Sequence, residues 1–245
     1  MKPKVDFCFK ELMEDEEVRN AFLAAVLGID LGEIVESRIA VPPASEDKAD
    51  KLGILDVRVL LNNKEQIDIE IQVTSSEYWA ERTLFYLGKM FVDQLKPGED
   101  YQKLEKCIHV GILNFTLFDD EEYYSRFHFW SDQGRKMYSD KYEIHTLELP
   151  KLAKHEYPET ELLKWLQFIN AETKEEFEMA AEKSEYIKKA YEDLNRISAD
   201  EEKRLEYEAR ERAIRDHQYF STVYKNTGLK EGRREGRKTG NCRII

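Results

Sequence analysis

Apolar residues near the N-terminus recur at helical spacing. Phe9, Leu12, Met13, Val18, Phe22, Ala25 and Val26 predict one helix over 6–27, with Gly28 as its stop. Ile34 to Val41 reads as a short strand ended by Pro42-Pro43, and 44–52 as a polar loop. Two clearer strands follow: Ile54 to Leu61 is rich in β-branched residues, and Ile67 to Val73 alternates apolar and polar without a fault. Asn62-Asn63-Lys64 between them is turn material, so the pair forms a hairpin. Thr74-Ser75-Ser76-Glu77 has the spacing of a capping box, and a helix is predicted over 77–95. Its apolar stripe is Ala80, Leu84, Leu87, Phe91 and Leu95, with Arg82, Tyr86 and Lys89 on another face. Cys107 to Phe118 is too apolar for anything but a buried strand. A further strand fits Tyr142 to Leu149, and a short helix fits Glu161 to Asn170.

The pattern changes after 171. Thr173-Lys174-Glu175-Glu176 and Ser198-Ala199-Asp200-Glu201 each have capping-box spacing before a charged helix with a thin apolar stripe. This divides the chain into a folded domain over 1–171, a charged helical arm over 172–226 and a Gly/Arg/Lys-rich tail over 227–245. In the tail Gly228, Gly232, Gly236 and Gly240 would align on one helix face. Charged residues between them rule out membrane-type packing, and disorder is the expectation.

The hairpin carries the chemistry that the pattern makes most specific. Ile67, Ile69, Ile71 and Val73 share one face of their strand; Asp68, Glu70 and Gln72 share the other. Keeping both apolar sets on one side restricts the register to steps of two. With a three-residue loop, Leu61 faces Glu65, Arg58 faces Asp68, and Asp56 faces Glu70. The last pair sets two carboxylates across from each other with Cβ atoms ~5 Å apart. They repel unless one is protonated or a cation sits between them, and their oxygens suit a hard divalent ion. A solvated face that merely carries acids is the simpler reading of the strand pattern by itself.

Composition narrows the class. Of 245 residues, 36% are charged and 41% hydrophobic, as in a globular protein with charge-rich helices. No apolar run approaches membrane-spanning length, no secretory segment is visible, and three well-separated cysteines (Cys8, Cys107, Cys242) fit neither a disulfide framework nor a zinc knuckle. A cytoplasmic protein with no membrane partner is expected. The net charge of −12 argues against holding nucleic acid by bulk electrostatics alone.

Asp56, a short loop and Glu70-Ile71-Gln72 resemble the D…(D/E)xK signature of PD-(D/E)XK nucleases, with Gln72 in the lysine place. The surrounding segments resemble the transposase-like, recombination-promoting nucleases of that superfamily. They are Asp6-x-x-Phe9-Lys10, Gly53 to Val57, Ile69 to Gln72, Arg82-x-x-x-Tyr86, Gln94-Leu95-x-x-Gly98-x-x-Tyr101 and Leu147 to Lys151. The resemblance implies an α/β fold: a restriction-endonuclease-like αβββαβ core with a mixed sheet flanked by helices, followed here by the helical arm. It also implies a metal-dependent DNA endonuclease with Asp56, Glu70 and Gln72 as catalytic residues. Asp56, Glu70 and the Ile71 backbone carbonyl would hold Mg²⁺, or Mn²⁺ in its place. Gln72 cannot titrate but can orient a water by hydrogen bonding. Asp6, Arg82 and Arg58 are supporting candidates, Asp6 being equally readable as a helix N-cap. DNA is the implied partner, with the arm as a candidate route to a homo-oligomer. Two alternatives stay open: a catalytically silent DNA-binding or regulatory protein on this fold, and an interaction protein acting through its arm.

Overall fold

The computed structural model describes residues 1–40 and 57–240. Its core runs α1 (Asp6–Met13), α2 (Glu16–Leu27), β1 (Ser37–Ile39), β2 (Val57–Leu61), β3 (Glu65–Gln72), α3 (Trp79–Val92) and β4 (Cys107–Leu113). Then come β5 (Tyr124–Trp130), β6 (Met137–Glu148), α4 (Glu161–Asn170), α5 (Lys174–Ala181), α6 (Glu185–Ala199) and α7 (Glu201–Gly240). The six strands form one mixed sheet in the order β1-β2-β3-β4-β6-β5. The β1/β2, β2/β3 and β5/β6 pairs are antiparallel, and the central β3/β4 and β4/β6 pairs are parallel. This is the expected α/β architecture, with α3 as the crossover that a parallel β3/β4 pair requires.

The hairpin register agrees with the one derived from alternation. Leu61 pairs with Glu65, Arg58 with Asp68 and Val57 with Ile69, and the turn places Asn62 and Asn63 at positive φ, where asparagine is tolerated. One face of the sheet (Val57, Val59, Leu61, Ile67, Ile69, Val110, Ile112, Leu147) is apolar and buried. The opposite face receives α3, where Leu87 and Met90 close over Cys107.

Several expected elements differ. The helix predicted over 6–27 is two helices. Asp15 breaks it by capping α2 through hydrogen bonds from Glu17 N and Val18 N, and buried Arg19 takes the freed carbonyls of Met13 (2.7 Å) and Glu14 (3.2 Å). Asp6 is the first helical residue of α1, so the N-cap reading fails: Val5 holds that position, and Asp6 accepts from the next amide, Phe7 N. α3 starts at Trp79 without a side-chain cap, and its buried stripe is Trp79, Thr83, Leu87 and Met90. The helix is thus rolled by about one residue from the expectation, leaving Leu84 exposed. The strand β5 was missed altogether. At the C-terminal side Thr173 forms its capping box, but Ser198 lies inside α6; Asp200 accepts from Lys203 N at the head of α7 instead.

Met1–Tyr207 forms one compact unit, in which α6 packs on α1 and α2, and α5 packs on α4. Glu208–Ile245 forms a second. The backbone of α7 is helical through Gly240; glycine lowers helix propensity without removing the i→i−4 donor. Among the described residues no helix is long and apolar enough to cross a membrane.

Candidate functional site

Strand periodicity puts Asp68, Glu70 and Gln72 on the α3 side of β3. The parallel ladder sets His109 beside Asp68 and Gly111 beside Glu70. Gly111 is needed there: a Cβ on it would stand 2.6 Å from Cζ2 of Trp79, whose indole fills the space over β4. With Trp79 seated on the sheet, the first turns of α3 carry Arg82 to the carboxylate, Nη2 lying 3.3 Å from Oε1 of Glu70. The same guanidinium sits over the ring of Tyr86, 5.1 Å from its centroid.

Glu70 is 1% exposed, and burial pushes its carboxyl above the ordinary glutamate range, with Arg82 and then His109 opposing that rise. Asp68 meets His109 Nδ1 at 3.2 Å and Arg58 Nε at 3.8 Å. Among the described residues, Glu70 Oε1, Asp68 Oδ1, Arg82 Nε and Nη2, Thr83 Oγ1 and His109 Nε2 are all buried without a hydrogen-bond partner. The Arg82–Glu70 pair is within ion-pair range but misaligned for a hydrogen bond. Buried polar atoms are nearly always satisfied, so these orphans together make the spot a candidate site.

The sequence candidates fall as follows. Glu70 and Arg82 are brought together. Gln72 shares their face, and its Nε2 donates to Thr74 O at 2.9 Å. Arg58 lies beside Asp68 rather than Glu70. Carbonyls of the even residues of β3 face β4, as Gln72 O does in accepting from Asn114 N, so the Ile71 carbonyl is turned towards the β2 side. Asp56 lies outside the described residues. Among the described residues no three His, Cys, Asp or Glu side chains are grouped to hold a metal. Trp79, Thr83, His109 and Gly111 were not found from the sequence, because their place depends on the parallel register, which no local pattern encodes.

Residues 3–222 match the family model of the PD-(D/E)XK nuclease family transposases. The chain belongs to this family. No curated protein and no solved structure gave a match. A nuclease-like function follows from membership in the PD-(D/E)XK family, and the mixed sheet with its flanking helices is consistent with that fold. One segment that drew the resemblance, Leu147 to Lys151, has a structural task. Buried Lys151 donates to Glu148 Oε1 (2.9 Å), Asp120 Oδ1 (2.6 Å) and Glu122 O (3.0 Å). Glu148 Oε2 in turn accepts from the amides of Leu117 and Phe118, which ties the loop after β4 to the end of β6.

Proposed function

We propose that this PD-(D/E)XK protein is a metal-dependent DNA endonuclease acting through Asp56, Glu70 and Gln72. The observation that carries the reading is Glu70: a fully buried carboxylate with an oxygen that no donor among the described residues satisfies, at the family's acidic position. A hard divalent cation, Mg²⁺ or Mn²⁺, fits these oxygen donors, with Glu70 and the Ile71 carbonyl as ligands. Asp56 enters on the sequence: Val57 pairs with Ile69, and one further step of that register would set residue 56 across from Glu70. Bound there, the ion would supply charge stabilisation to the phosphate and acidify the attacking water.

The chain's own groups prepare that chemistry. The carboxylate of Glu70 must be ionised to serve as a ligand, and Arg82 favours the ionised form against the cost of burial. Arg82 is also the cation nearest to Glu70 among the described residues, and it supplies positive charge that Gln72 cannot. Gln72, held through Nε2, keeps its Oε1 as an acceptor for a water. For α7 we propose self-association: Tyr219, Phe220, Val223 and Tyr224 form an exposed apolar patch on the helix.

The test is nicking of supercoiled plasmid by wild type, Asp56→Ala and Glu70→Gln with Mg²⁺, Mn²⁺ or EDTA. Nicking by the wild type alone, and only with metal, is the expected result. Equal traces in all lanes would leave the second reading, a silent DNA-binding protein, which the close Arg82–Glu70 pair favours. Sedimentation of the protein with and without Phe220→Asp and Tyr224→Asp tests self-association.

A further inference from the structure

While Trp79, Thr83, Leu87 and Met90 turn α3 towards the sheet, its outer ridge stays apolar in the open. Tyr78, Phe85 and Val92 are 70%, 67% and 63% exposed, and Leu84 beside them is 51% exposed. Glu81 and Gly88 stand between the three, so the ridge alternates steps of three and four, the spacing of a helix that packs along another helix. A contiguous exposed patch of this kind marks an interaction surface. Gly88 supports this. Glycine inside a helix weakens it, and among the described residues nothing lies within 4 Å of where its Cβ would stand. Packing within the chain does not call for it, but it leaves a notch in the ridge where a second backbone can approach.

The ridge is complementary to itself when reversed. In an antiparallel pair centred on Phe85, positions equally far to either side come level: Tyr78 with Val92 of the second copy, Glu81 with Lys89, and Arg82 with Gly88. Apolar meets apolar, and opposite charges meet twice over. Glu81 and Lys89 are exposed, and among the described residues neither has an ion-pair partner. The like-charged Glu77 and Asp93 come level only beyond the helix ends, about 12 Å from the centre. A parallel pair would instead set Glu81 against Glu81 and Lys89 against Lys89.

We propose that the outer ridge of α3 is a contact between two copies of this chain, packed antiparallel about a two-fold axis at Phe85. A foreign partner would have no need of the internal symmetry, whereas a two-fold contact requires one surface to fit itself. α3 has 14 residues, about 21 Å of helix, so the interface is small and the dimer weak and concentration-dependent. The contact also borders the candidate site: Phe85 stands edge-on to Tyr86, 5.5 Å between centroids, and Arg82 sits over the Tyr86 ring. It is separate from the patch on α7 and does not rest on the nuclease reading.

The test is sedimentation velocity of the full chain over a concentration series. Wild type passes from monomer to dimer. Phe85→Asp stays monomeric over the same series with its melting temperature unchanged, since the ring is mostly exposed. Glu81→Lys weakens the dimer about tenfold, because two attractive pairs become repulsive, and Glu81→Lys with Lys89→Glu restores it. Crosslinking reads the register directly. Cys8 and Cys107 are buried, so in chains carrying Cys242→Ser an added thiol is the one open to oxidation. Phe85→Cys then links to its own copy across the axis, while Glu81→Cys, about 12 Å along the helix from its copy, does not. A wild type that is monomeric at every concentration overturns the proposal. So does association that survives Phe85→Asp but is lost with Phe220→Asp and Tyr224→Asp, which would leave α7 as the contact. A charge swap that fails to restore what Glu81→Lys removes overturns the antiparallel pairing.

Discussion

The guanidinium of half-buried Arg82 lies 3.3 Å from the carboxylate of Glu70, which is itself buried. A charge held there without a hydrogen bond is poised to exchange its partner for a cation. Mn²⁺ or Mg²⁺ is accordingly expected to raise the melting temperature of the wild type, by an amount equivalent to ~2.7 kcal/mol at a hundred times the dissociation constant. Glu70→Gln abolishes that shift. Because burial raises the carboxyl's pKa, protons compete with the metal, so the shift shrinks as pH falls towards that raised value. A shift independent of pH, or one that persists in Glu70→Gln, rules this out.

Gly111 and Trp79 form a second tight relationship. Gly111→Ala forces the indole away from the sheet, since 2.6 Å leaves no room for a methyl group. The expected cost is about 1–3 kcal/mol in urea unfolding, with an altered near-ultraviolet dichroism from the displaced tryptophan. Nicking should fall with it, because Arg82 is carried by the same helix turn. An alanine variant as stable as the wild type would show that Trp79 is not held in this way.

Lys151 is almost entirely buried, and three oxygens share its ammonium. Lys151→Ala leaves Glu148 charged and without its cation, at a cost of about 3–5 kcal/mol. Lys151→Met, with Glu148→Gln in the same chain, recovers much of this. Equilibrium denaturation of the single and double variants measures the coupling. Additive losses would contradict a direct pair.

The pH dependence of stability should carry the signature of Glu143. Burial alone would raise its carboxyl, but hydrogen bonds from His145, Arg126 and Lys106 outweigh burial and hold it far below the ordinary glutamate value. A depressed folded-state pKa stabilises the protein above the unfolded value near pH ~4.3, and that contribution is lost as pH falls from there through the depressed folded-state value. Acid unfolding of Glu143→Gln should thus be shallower between about pH 5 and 2, although the variant is less stable at neutral pH. Parallel acid profiles would exclude this role.

How much of this was legible beforehand depended on whether a feature was local. The β2–β3 register could be derived because alternation has a period of two, and a one-residue slip would have buried Asp68 and Glu70 among isoleucines. α4 was read to the residue, since Thr160 caps it and its apolar stripe is unbroken. β5 was lost because an edge strand with both faces partly exposed has no clean alternation. The roll of α3 was lost because Trp79, at its first position, is fixed by a glycine 32 positions on in another strand. His109 could be placed near Asp68 only through a parallel pairing, and parallel partners are set by topology.

The crossover through α3 also sets an order of events in folding. β2 and β3 are joined by a tight turn and can pair early through local contacts, presenting Glu70 to water as an ordinary exposed acid. The pocket around it closes only when β4 arrives in parallel register with α3 on top, which demands a long loop closure first. The burial of Glu70 is therefore expected among the last things the chain acquires. A half-folded molecule, carrying every residue named above, would lack the raised carboxyl that burial gives Glu70.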